Sequence, residues 1–317
     1  MKRVAKLLVL AIPVAVVVVL ISVIIRGGKP GALQTPLPTP ASLPPQPSSY
    51  LGVFENGETK SWRPIDLFAK AVGKRPDIIL YYTGWNAPFQ ADLAKQANEH
   101  GAMVLGQIEP RNVSIASIAH GRYDAYLRSY AASVRRFGHP VILGFGHEMN
   151  GNWYPWGYEH VTPAVFIAAW RHVVNVFRWS GARNVIWLWT ISRAGRIPIS
   201  YYWPGAAYVT WVGIDGYYEL PGETFSFLFR KTLSAVQKLT NDPVLLSETA
   251  VGPATGNQPA KIANLFAGIR RRHLLGLVWF DRAQNGGLHH QDWRLEDSRA
   301  ALAAFRQGVA GLHLMRP

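Results

Sequence analysis

Eight short apolar runs, separated for the most part by longer amphipathic stretches, predict an α/β fold whose strands close into a (β/α)8 TIM barrel. The runs are YLGVF, DIILYY, AMVLGQI, VILGFG, NVIWLW, VTWVGI, PVLLS and LLGLVWF, rich in the β-branched and aromatic residues that fill buried strands. A doubly wound open sheet would place a glycine-rich phosphate turn after its first strand. Here YLGVF runs into Glu55-Asn56-Gly57, which provides none.

Between the runs, helical periodicity is expected over 64–72, 88–100, 123–137, 162–179, 224–239 and 258–272. Thr162-Pro163 reads as a helix start, with proline at the first helical position. Only the connection from NVIWLW to VTWVGI lacks a clear long helix.

The barrel is expected to occupy 50–317. Ahead of it, Lys2, Arg3 and Lys6 precede an uncharged apolar run from Leu7 to Ile25. As a helix that run would reach about 28 Å, close to the hydrocarbon thickness of a bilayer. Residues 1–28 therefore read as a basic flank and a transmembrane signal anchor, with the remainder outside the cytoplasm. A cleaved signal peptide, giving a secreted protein, is the rival reading; its apolar region is usually shorter and ends in small residues, whereas this one ends Val23-Ile24-Ile25-Arg26. Residues 29–49, rich in proline and free of acidic groups, read as an extended linker.

The 317 residues contain no cysteine, which excludes disulfides, thiolate metal sites and a cysteine nucleophile. Net charge is +14; five cations lie within residues 1–29, leaving 28 minus 19, or +9, beyond them. The arginines are scattered and no basic run interleaves with stacking aromatics, so nucleic acid is not an expected partner.

In such a barrel, residues just past each strand's carboxyl end line the active-site mouth. Those positions hold Glu55, Trp85, Glu109, His147, Glu148, Ser192, Arg193, Asp215, Tyr217, Tyr218, Glu248, Trp279 and Asp281, a mouth of carboxylates and aromatics. Breaking a glycosidic bond needs an acid for the leaving oxygen and a carboxylate for the developing positive charge. Glu148 and Glu248, from strands four and seven, could supply both, while aromatic side chains suit the apolar faces of sugars. The plainer readings are that Glu55, Glu109 and Asp215 hold arginines, that Trp187, Trp189 and Trp211 are core, and that His289 and His290 form a polar loop. Gly151 stands where H-E-x-x-H needs its second histidine, against a zinc protease.

The segment GHEMNGNWYPWG, with YYTGWNAPF, WPGAAYVTWVGIDGYY, VLLSETA and VWFD in order around it, resembles glycoside hydrolase family 26, chiefly β-mannanases built as (β/α)8 barrels. The resemblance implies a retaining hydrolase of internal β-linkages, foremost an endo-β-1,4-mannanase. Alternatives are a β-1,3-xylanase, a mixed-linkage β-glucanase or a non-catalytic carbohydrate-binding barrel. It implies Glu148 as acid/base and Glu248 as nucleophile, with Tyr217 bonded to the latter and His147 near it. It also implies Trp153 beside the scissile bond, Trp279 as platform under the ring attacked, and Trp156 and Trp85 as walls of neighbouring subsites. No metal or cofactor is implied. Family members commonly carry arginine three residues before the motif's histidine, near the nucleophile, where this chain has Gly144; its absence would raise the Glu248 carboxyl unless Arg111 or Arg193 reaches in instead.

Overall fold

The computed structural model describes residues 47, 50–284 and 291–312. The expected anchor (1–28), nearly all of the linker, and His289 and His290 lie outside them. Among the described residues no helix is long and apolar enough to cross a membrane.

Eight parallel strands close in sequence order: β1 (Tyr50–Glu55), β2 (Ile78–Gly84), β3 (Met103–Glu109), β4 (Val141–Phe145), β5 (Val185–Ser192), β6 (Trp211–Asp215), β7 (Val244–Thr249) and β8 (Gly276–Asp281). Closure is made by β1 against β8, paired from Tyr50↔Gly276 to Glu55↔Asp281. All eight expected runs are strands, and the barrel leaves no open sheet edge to protect.

The expected helices form as α1 (Arg63–Val72), α2 (Ala91–Glu99), α4 (Asp124–Phe137), α5 (Pro163–Trp179), α6 (Phe225–Gln237) and α7 (Gln258–Arg271). Pro163 does open α5, but the Thr162 side chain makes no capping bond. Two further helices were not anticipated: the short α3 (Ile115–Ala119) and α8 (Arg299–Ala310), each capped by a serine that accepts from the backbone three residues on. Between β5 and β6 the chain makes only two 3-10 turns, Ile199–Tyr202 and Ala206–Tyr208, as its weak periodicity suggests.

Neighbouring residues on a strand face opposite ways, toward the barrel interior or the helices. On β2, Tyr81 turns outward to meet the Tyr130 hydroxyl of α4 at 3.1 Å, while Tyr82 faces inward beside Phe54. On β8, Trp279 turns outward against Phe305 of α8 at 5.0 Å between ring centres, while Phe280 stacks on Phe54 at 4.7 Å. Trp187, Trp189 and Trp211 are buried, as expected of core residues.

Candidate active site

Glu148 follows β4 on a tight turn. Gly146 has φ +57° and Glu148 itself φ +54°, a left-handed backbone that a glutamate adopts only when its surroundings impose it. The restraints are visible. Glu148 N–H donates to the Thr190 carbonyl at 2.9 Å, and Asn150 clamps β5 by donating to the Ser192 carbonyl at 2.8 Å and accepting from Ser192 N–H at 2.9 Å. The Glu148 carboxyl accepts from the Trp153 indole N–H at 2.6 Å and is bonded by the Ser192 side chain.

Glu248 lies in β7, opposite Asp215 of β6. The register of β7 against β8 shifts between Leu246 and Thr249, an irregularity of the kind that re-aims a side chain. Glu248 is buried, and each carboxylate oxygen has a phenol: Tyr82 Oη–H donates to Oε1, and Tyr217 Oη–H to Oε2 at 2.9 Å. Ser247 Oγ–H donates to Asp215 Oδ1 at 2.6 Å.

Burial, and then the charge of Glu148, push the Glu248 carboxyl up to about 8, while the two phenols pull the other way. Burial also raises Glu148 and Asp215 above the usual carboxylate range. Burial first, then the nearby Glu248, lifts the hydroxyls of Tyr82 and Tyr217 well above the ordinary phenol range, so both remain donors. His147 is buried beside Tyr82, Tyr154 and Trp156, and burial, aided by Arg111, lowers its imidazole to about 3 and keeps it neutral.

Several sequence expectations need correction. Trp279 is fully buried on the helix side of β8, its N–H held by Asp281 and the Trp293 carbonyl, and presents no face to the mouth. The inward residue there is Phe280, edge-on to Tyr217. Trp156 is also fully buried, donating to the His147 carbonyl at 2.7 Å and stacking on Tyr154; it supports the histidine rather than forming a wall. Trp85 is wedged among Tyr123, Tyr126 and Phe145, only 9% exposed. Trp153, 40% exposed, is the expected sugar-facing tryptophan that keeps an open ring.

Neither Arg111 nor Arg193 reaches Glu248, whose carboxyl is raised. Arg111 forms a two-point ion pair with Glu109, the one carboxylate of three that holds an arginine as expected. Arg193 binds Glu223, Glu219 and the Tyr217 carbonyl. Glu55 instead shares a hydrogen bond with Asp281, and Asp215 takes the Ser247 hydroxyl. Gly144 has a steric reason. It faces Gln107 across β3 and β4, and a Cβ there would stand 1.9 Å from Gln107 Oε1, with that amide tied to Thr190 Oγ1 at 3.0 Å.

A (β/α)8 barrel with a buried glutamate, Glu248, in β7 and a partly buried one, Glu148, just past β4, close enough for the charge of Glu148 to raise Glu248 and ringed by phenols and an open indole, defines a class of barrel built for carboxylate chemistry. Residues 115–306 match the model of Glycosyl hydrolase family 26, and the chain belongs to that family. Endoglucanase H of Acetivibrio thermocellus is 29% identical over 272 residues, covering 80% of this chain and 29% of the relative. A mannan endo-1,4-beta-mannosidase of Bacillus subtilis is 27% identical over 193 residues, covering 55% of this chain and 51% of the relative. The chain thus spans about half or less of the length of these curated relatives. Among solved structures, Bacillus subtilis mannanase man26 superposes with TM-score 0.62 at 18% identity, covering 82% of this chain and 85% of that one. A Cellulomonas fimi endo-beta-1,4-mannanase double mutant does so with TM-score 0.64 at 17% identity, covering 83% and 70%. These likenesses establish the shared fold.

Tyr82, Asn150 and Gln107 were not singled out by sequence. Tyr82 lies inside the apolar run DIILYY, which is buried on both faces, so no alternation in the sequence marks it as inward; its contact with Phe54, itself stacked on Phe280, shows it.

Proposed function

We propose that this protein is a retaining endo-acting β-glycanase, foremost an endo-β-1,4-mannanase. The observation that carries the reading is the pair of glutamates: buried Glu248 aimed by two phenol donors, and partly buried Glu148 held by the Trp153 indole beside an exposed aromatic face. Glu248 attacks the sugar's anomeric carbon while Glu148 gives its proton to the departing oxygen. Glu148 then takes a proton from water as water displaces Glu248 from the glycosyl ester. Each group must alternate between charged and neutral forms, and burial, which raises the Glu148 carboxyl, favours the protonated form that a proton donor needs. The neutral His147 and fully buried Trp156 hold the turn in place beneath the sugar.

The alternative substrate is a β-glucan, favoured by one observation: the endoglucanase relative aligns with 80% of this chain, the mannosidase relative with 55%. Incubation of the protein with mannan, glucomannan, mixed-linkage glucan and β-1,3-xylan, followed by product analysis, separates the readings. Oligosaccharides released fastest from the mannans support the mannanase. Faster release from glucan would replace it while keeping the mechanism, and binding without cleavage would favour a carbohydrate-binding barrel.

The same proposal places the barrel outside the cytoplasm on a membrane tether, resting on the apolar run from Leu7 to Ile25 and the proline-rich stretch after it. Full-length protein should remain with membranes through salt and alkali washes. Mature protein free in the medium with an amino terminus near residue 30 would favour a cleaved signal peptide.

A further inference from the structure

We propose that Tyr82 is a second catalytic phenol, donating to one oxygen of Glu248 as Tyr217 donates to the other, so that two neutral donors do at this carboxylate what a cation would otherwise do. The proposal rests on the reading of Glu248 as nucleophile. Tyr82 lies ahead of the residues that match the family, so nothing in that match assigns it.

The geometry is complete on both sides of the carboxylate. Tyr82 bonds Oε1 and Tyr217 bonds Oε2, one from β2 and one just past β6, so the carboxylate cannot rotate without breaking a bond at each end. The Tyr82 ring is itself fixed. It stands edge-on to Phe54 at 5.3 Å, Phe54 is backed by Phe280, and the neutral His147 ring lies on another flank at 5.5 Å. No lysine or arginine is among the groups acting on Glu248 in the described residues, since Arg111 and Arg193 are bound to other carboxylates. The inward position on β4 cannot supply one either, because Gln107 occupies the space over Gly144.

The choice of donor has a chemical consequence. When Glu248 bonds the anomeric carbon it loses its negative charge, and an ion pair to that oxygen would be lost with it. A phenol gives up less. The donor on the attacking oxygen weakens as the C–O bond forms, the other stays on the ester carbonyl, and no proton leaves either tyrosine. In the second step both bonds strengthen again as the carboxylate departs, which helps it leave.

The test is labelling of Glu248 by 2-deoxy-2-fluoro-β-mannosyl and -glucosyl fluorides, read by intact mass, together with the pH dependence of kcat/KM on an aryl β-glycoside. Tyr82→Phe should label about 10- to 100-fold more slowly, the loss expected for one hydrogen bond to a charged group. Its acid limb should move to higher pH by about one unit, because a donor that favours the charged nucleophile is gone. Tyr81→Phe, on the neighbouring outward-facing tyrosine, should keep the wild-type labelling rate and acid limb and serves as the control for disturbance of β2. Wild-type labelling and an unmoved acid limb in Tyr82→Phe would overturn the proposal while leaving the hydrolase reading intact. A wild-type protein that acquires no label at Glu248 would overturn both.

Discussion

The Trp153 indole N–H reaches Glu148 Oε2 at 2.6 Å from five residues further along the same loop, so one side chain both orients the Glu148 carboxyl and leaves 40% of its surface exposed. The two roles separate by substitution. Trp153→Phe keeps an aromatic face and removes the donor, and that donor holds the Glu148 carboxyl down against the upward push of burial. Its loss should raise Glu148 further, keep the acid protonated to higher pH, and carry the alkaline limb of kcat/KM upward. Trp153→Ala should in addition raise KM for polysaccharide. An alkaline limb that stays in place in Trp153→Phe would show that Glu148 is not the group titrating there.

The division of labour between Glu148 and Glu248 has a chemical signature. Glu248→Ala removes the proposed nucleophile, so every substrate should suffer, however good its leaving group. Glu148→Ala removes the proposed proton donor, which an aryl glycoside with a strongly acidic phenol hardly needs. That variant should form its glycosyl-enzyme and stall, and azide should speed turnover and yield a β-glycosyl azide. An α-glycosyl azide would reverse the two assignments.

Gly144 should resist enlargement. A methyl group there meets Gln107 Oε1 at 1.9 Å, and although an amide end can swing, this one is fully buried and bonded to Thr190. Gly144→Ala should lower unfolding free energy by about 1–3 kcal/mol in denaturant titration, the range for overpacking. Combining it with Gln107→Ala should recover part of the loss, because the second change removes the atom that is struck. Two independent, additive losses would mean that the residues do not share the space.

The contrast between Trp279 and Tyr82 marks how far the sequence reaches. Strand runs were legible because buried parallel strands are continuous apolar segments, and Glu148, Glu248, Tyr217 and Trp153 because each lies in a distinctive block at a strand end. The direction in which a residue points was not legible, since a run apolar on both faces has no alternation to read. A rule that lists strand ends therefore takes Trp279, which faces α8, and passes over Tyr82, which faces Glu248. The helix α8 follows the last apolar run, so no later strand frames it as a connection. The corrected position of Trp279 has a measurable meaning: Trp279→Ala should destabilise the fold by about 3–5 kcal/mol, as for a buried aromatic. In the fraction that remains folded, KM should change little; a large KM increase without loss of stability would restore it as a platform.

Glu55 and Asp281 meet at the closing seam of the barrel, opposite each other on β1 and β8, and share a hydrogen bond. Burial first, and then the charge of Asp281, push the Glu55 carboxyl up to about 10; burial and Glu296 bring Asp281 to about 7. A carboxyl whose folded value exceeds its unfolded value binds more protons in the native state, so its contribution favours folding at low pH and is lost as pH rises toward the folded value. For this pair the loss begins above the ordinary carboxylate range near pH 4 and continues through 7 toward 10. Thermal unfolding should accordingly show a higher Tm near pH 5 than near pH 9. Glu55→Gln retains a donor toward Asp281 and cannot ionise, so it should narrow that gap by raising Tm at pH 9 while leaving pH 5 almost unchanged. A Tm gain of equal size at both pH values would mean that the substitution acts through packing, and that the seam holds no shared proton.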